Sequence, residues 1–142
     1  MRFVALLSLA AFAAHPAIAE TSVAGDWLVE HGSAKVRIGP CAEKPDHLCG
    51  MMVWLKNPKD PTGRPARDGK NPDPKLRDRT LVGLSLLSNF TPAGERRWGG
   101  GQIYDPTDGK TYKSKFSLAA DGHLRVSGCV FVVCVTQTWT RP

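Results

Sequence analysis

The sequence predicts an all-β fold, an eight-stranded antiparallel up-and-down barrel. Three observations predict it. Short runs of strand-forming residues recur between turn signals. Asp-Gly pairs stand between alternating segments in the second half of the chain. Eight strands in 142 residues leave no open edge when they close on themselves. An open sandwich is the second arrangement that fits.

The chain begins MRFVALLSLAAFAAHPAIAE. Arg2, an apolar run over 3–14 and Ala17-Ile18-Ala19 read as a secretory signal peptide, residues 1–19, cleaved after Ala19. The run is too short for a bilayer span, and no later stretch reaches the ~20 apolar residues a membrane helix needs. Residues 20–142 are therefore expected to form a single barrel domain, periplasmic or secreted, without a transmembrane segment.

The strands follow in order. GDWLVE (25–30) leads to AKVRIG (34–39), where Val36 and Ile38 alternate with Lys35 and Arg37. A polar loop between Cys41 and Cys49 precedes GMMVWLK (50–56). TLVGLSLLSNF (80–90) is apolar nearly throughout and reads as a buried strand. WGGGQIYDP, KTYKSKFSL and HLRVSGCV then form a meander through the turns at 107–109 and 120–122, and a last strand runs over 133–141. In KTYKSKFSL, Tyr112, Ser114, Phe116 and Leu118 share one face while Lys113 and Lys115 take the other. Gly99-Gly100-Gly101 marks a bulge or a close backbone approach.

Four cysteines allow three pairings, and export permits disulfides. In the last hairpin Arg125, Ser127 and Cys129 share a face with Cys134, Thr136 and Thr138. A connection over 130–133 then brings Cys129 to Cys134, which leaves Cys41 with Cys49. Each short loop contributes about 2–2.6 kcal/mol.

The formal charge is +6. An exported basic protein meets anionic envelope polymers, headgroups or acidic ligands rather than nucleic acid. Much of the excess lies at 57–79, a segment with five prolines and no hydrophobic period. A connection this long is functional or disordered.

Two resemblances follow. Gly25-Asp26-Trp27 opening the first strand, with Arg141 ending the last, is similar to the Gly-x-Trp and closing Arg of lipocalins and their calycin relatives. That likeness implies that Arg141 packs over Trp27, with Gly25, Trp27, Trp139 and Arg141 as structural residues. The series GDW, LCGMMVWLKNPKDPTG, DGKNPDPKLRDRTLVGL, W-x-GG-x-IYDPTDGKTYK, LRVSGC and QTWTR resembles domain of unknown function 2147, an exported bacterial family. This implies a lipocalin-like barrel and no activity.

No catalytic set is visible, and no enzyme is expected. Gly83-Leu84-Ser85-Leu86-Leu87 lacks the second glycine of a nucleophile elbow. His31, His47 and His123 lack ligand spacing, and oxidised cysteines leave no thiolate for zinc, so neither metal nor cofactor is expected. Asp105 and Asp108 are explained by a turn. The leading expectation is a binding protein that holds a small, partly apolar ligand in the barrel, lined by Trp54, Tyr104, Tyr112 and Gln137. If Gln137 faces inward, its amide needs a partner in protein, water or ligand. The loop offers Asp68, Asn71, Arg77 and Arg79. The two arginines suit an acidic group, or else pair with Asp68, Asp73 or Asp78 to pin the loop. The alternative expectation is an envelope interaction module whose basic 57–79 loop grips an anionic polymer or a partner protein.

Overall fold

Alternation places most of the chain. In the second strand Val36 and Ile38 are fully buried while Arg37 between them is exposed, and the same period repeats around the sheet. The computed structural model describes residues 22–142; the expected signal peptide and its cleavage site lie outside them. The strands are β1 (Gly25–Leu28), β2 (Ala34–Pro40), β3 (Leu48–Leu55), β4 (Ser85–Gly94), β5 (Arg97–Asp105), β6 (Lys110–Leu118), β7 (Leu124–Val130) and β8 (Val133–Trp139). They form one sheet in chain order, every neighbour antiparallel. Leu28 and Thr140 exchange two backbone hydrogen bonds of 2.7 and 3.0 Å, so the last segment meets the first and the sheet curls into a lipocalin-like barrel. Among the described residues no helix is long and apolar enough to cross a membrane.

Connections alternate between the two ends. One end carries the β2–β3 loop, the β4–β5 and β6–β7 turns, and the start of β1. Trp27 is fully buried there, its Nε1 donates to the Val23 carbonyl at 2.9 Å, and the Arg141 guanidinium lies 3.9 Å from its ring centroid. The same guanidinium donates to the carbonyls of Ser22, Ala24 and Asp26. Gly25 has φ 108° and would bring a Cβ to 3.0 Å from Arg141 Nη1. Gly-x-Trp and the terminal arginine thus work as one lid.

From the lid end to mid-barrel the interior is filled by Trp27, Val36, Ile38, Leu87, Phe90, Phe116, Leu124, Val126 and Trp139, each at most 2 % exposed. Phe116 stacks between Phe90 and Trp98, with centroids 4.6 and 5.4 Å away. The glycine run does both things expected of it. Gly99 and Gly100 bulge between the pairs Trp98–Phe116 and Gly101–Ser114. A Cβ on Gly101 would fall 2.5 Å from the Phe90 ring. Both disulfides pair locally, Cys41 with Cys49 and Cys129 with Cys134.

One strand departs from expectation. Residues 80–84 are not part of β4, because Thr80 bridges Arg67 and Gly83 turns the chain at φ 96°. β4 instead runs on past Phe90 through Pro92. The last β3 partner of β4 is at Phe90, so the missing Pro92 N–H faces an edge.

Candidate functional site

The long connection is ordered by a buried carboxylate. Asp68 is fully buried. Its Oδ1 accepts the Tyr104 hydroxyl at 2.6 Å, and its Oδ2 accepts Asn71 Nδ2 at 2.9 Å and Arg79 Nε at 3.0 Å. Arg79 Nη2 reaches the same oxygen at 2.9 Å. Arg77 donates to the Asn71 carbonyl at 2.7 Å, and Arg67 pairs with Asp78 at 3.3 Å. Burial, then the Asp68 carboxylate it donates to, holds the Tyr104 pKa above the ordinary phenol value. The loop also crosses the β5–β6 turn, where the Lys70 carbonyl takes the space a Cβ on Gly109 would need. Asp68, Asn71, Arg79 and Tyr104 are therefore brought together, and the bonds of the two arginines run within the loop and its anchor.

The four residues expected to line the barrel are scattered. Trp54 stands on the outer face, 39 % exposed, with Lys35 Nζ 4.9 Å from its ring centroid. The cause is the extra residue Val53 between the pairs Lys35–Trp54 and Val36–Met52. Tyr104 is also outside, under the loop, because the Gly99-Gly100 bulge reverses the parity that would have set it beside Trp98. Tyr112 keeps the inward row of Ser114 and Phe116, but its hydroxyl donates to Asp108 in the turn. That bond is the first cause both of the lowered Asp108 pKa and of the raised Tyr112 pKa. Gln137 continues the row of Val126, its partner in β7, but it is exposed rather than enclosed, because β1 has ended at Leu28. Its Oε1 accepts the Trp139 indole N–H at 2.9 Å, so its amide partner is protein.

Two clefts lie on the outer face. The smaller, about 340 Å³, sits under the loop between Arg79, Ser88, Gln102 and Tyr104. The larger is a groove of about 1010 Å³ across β5, β6 and β7. Its floor is the outward row of those strands: Arg97 opposite Ser117, Lys113 opposite Cys129, Lys115 opposite Ser127, and Arg125. Trp98 and the glycine bulge flank it, and Phe131 and Val132 at the tip of the β7–β8 hairpin rim it. Arg125 is held by Thr138 Oγ1 at 2.7 Å and by Asp121 at 3.5 Å. Among the described residues Arg97, Lys113 and Lys115 take part in no ion pair. Four cations on a concave wall with an apolar rim suit an anion that carries an apolar part. No group of three or more His, Cys, Asp or Glu among the described residues is placed to hold a metal.

Residues 25–141 match a family described as "Uncharacterized protein conserved in bacteria (DUF2147)". The chain belongs to this family. The DUF2147 fold here is similar to that of protein HP1028 from the human pathogen Helicobacter pylori, described as belonging to the lipocalin family. The TM-score is 0.73 over 85 % of this chain and 83 % of that one, at 23 % identity. That likeness carries the fold alone. No curated protein matches the chain.

Neither the groove nor the hairpin tip of this DUF2147 barrel is among the binding residues expected from the sequence. One signal was present: Lys113 and Lys115 share the face opposite the core row. The other was an absence of turn chemistry, since Val130-Phe131-Val132-Val133 makes a tight turn with no Gly, Asn or Asp.

Proposed function

We propose that the protein is an exported, non-catalytic binding protein, and that its ligand lies in the outer groove rather than inside the barrel. The ligand class is a small anion with an apolar tail. The observation that carries this reading is the row of Arg97, Lys113 and Lys115, unpaired among the described residues, beside Trp98, Phe131 and Val132. The packed interior supports moving the site outward, and two disulfides suit an oxidising compartment. The 57–79 loop is the weaker candidate for gripping an anionic polymer, because Arg67, Arg77 and Arg79 bond within the loop and its anchor.

Laurate, titrated against intrinsic tryptophan fluorescence with Trp98→Phe to isolate the groove's contribution and dodecanol as the uncharged control, tests it. Laurate is expected to bind more tightly than dodecanol, with an affinity that falls as salt rises. Lys113→Glu with Lys115→Glu is expected to weaken laurate about tenfold. Equal binding of laurate and dodecanol, or indifference to the double charge reversal, overturns the groove as the site.

A further inference from the structure

Folding does not explain the end of the β7–β8 hairpin. Phe131 and Val132 are 96 % and 94 % exposed, so they contribute almost nothing to the core. Phe131 also holds φ 52°, a left-handed conformation that a bulky residue adopts at a cost. Below the tip Val130, Val133 and Val135 are 53 %, 69 % and 72 % exposed. Val135 lies opposite Gly128 on the row of buried Val126, yet β1, which would cover it, has ended at Leu28. The Cys129–Cys134 bond ties the hairpin at its base. A strained, cross-linked finger with an apolar tip therefore projects from the barrel.

The surroundings point to one occupant. Lys113 stands directly opposite Cys129, and Lys115 opposite Ser127, so two cations sit just behind the tip on its outer face. Arg97 and Arg125 continue the row. The other exposed large apolar side chains, Met51, Trp54, Leu76 and Val82, belong to β3 and to the connection that follows it. That connection lies at the same end of the barrel as the tip, while the Trp27–Arg141 lid closes the other. Apolar tip first, cations opposite positions two and four residues behind Phe131: this is the order that an anionic bilayer presents in reverse, phosphates outside and acyl chains within.

We infer that the β7–β8 hairpin docks the protein on an anionic lipid surface, with Phe131 and Val132 in the acyl boundary and Lys113 and Lys115 among the headgroups. The docking goes beyond the groove reading: it shares Lys113, Lys115, Phe131 and Val132 with the groove, but rests on the exposure and strain of the tip rather than on a bound small anion.

Sedimentation with phosphatidylcholine vesicles, with and without phosphatidylglycerol, tests it. The protein is recovered from an exporting host, and wild type and variants share the same N-terminus. Wild type is expected to bind the phosphatidylglycerol vesicles and to leave phosphatidylcholine alone, with binding lost in high salt. Phe131→Asn with Val132→Ser, which touches only exposed side chains, is expected to weaken binding about a hundredfold with no loss of melting temperature, since asparagine tolerates the left-handed φ that strains Phe131. Lys113→Glu with Lys115→Glu is expected to weaken it about tenfold or more. Wild type that ignores anionic vesicles, or a tip variant that binds them as well as wild type, overturns the inference. A dimer abolished by the tip variant, without vesicle binding, assigns the tip to a second copy and also overturns it. Laurate binding without vesicle binding leaves the groove reading standing alone, and the reverse result leaves docking alone.

Discussion

Arg141 does more than its place just past the end of β8 suggests. It covers Trp27 and gathers three carbonyls at the head of β1. Arg141→Ala is expected to cost about 1–3 kcal/mol in denaturant unfolding, and Arg141→Lys is expected to recover only part, because an ammonium lacks the planar fork. Gly25→Ala is expected to cost a similar amount, since φ 108° and the 3.0 Å approach of Arg141 both oppose a methyl group. The motif pair made this lid legible in the sequence. Tyr104 was legible only as a polar aromatic. Its raised pKa favours the protonated form in the folded state, so its contribution is complete below the ordinary phenol pKa of about 10. That contribution is lost as pH rises through the higher folded value. In a phenolate absorbance titration the sequence's two tyrosines are expected to ionise above the ordinary value. Tyr104→Phe is expected to leave only the Tyr112 transition.

At the scale of elements, period 2 told faces apart wherever a strand ran without interruption, and failed past each extra residue. β6 shows the first case, with Ser114, Phe116 and Leu118 buried and Lys113 and Lys115 exposed. Trp54 and Tyr104 show the second. One inserted residue reverses every side chain beyond it, and nothing in GMMVWLK announces that Val53 is the extra one. The triple glycine did announce its bulge, but not which residues beyond it would turn outward. The long connection was legible as lacking regular structure, whereas its order depends on Asp68 meeting Tyr104 from 36 residues away in the chain. Gly109→Ala is expected to detach this connection from the β5–β6 turn, because the Lys70 carbonyl already occupies the Cβ position. Amide hydrogen exchange should show faster exchange at Asp68 and Asn71 while the β7 amides stay protected. Replacing Cys129 and Cys134 together by serine is expected to lower stability by about 2 kcal/mol, again with the β2–β3 end unchanged.

At the scale of the molecule, strand number, order and antiparallel sense were readable, because hairpin turns and short strands leave few ways to connect. Whether the barrel would be hollow was not readable. That depends on how Phe90, Phe116, Trp139 and their neighbours fill the shared volume, which pairwise patterns do not report. Since the interior is filled, Leu87→Ala should open a void rather than enlarge a site. The expected cost is about 2–5 kcal/mol, read as a lower unfolding midpoint, with laurate affinity unaltered.

The hydrogen bonds between Leu28 and Thr140, and the grip of Arg141 on the Ala24 carbonyl 117 residues earlier in the chain, impose an order of events on synthesis. A chain delivered amino end first, whether from a ribosome or through a translocation pore, can build its hairpins one after another. It cannot join the ring until Thr140 and Arg141 arrive. Arrival of Thr140 and Arg141 is therefore also the moment of closure, and a chain stalled before them remains an open sheet, exposed to chaperones and proteases.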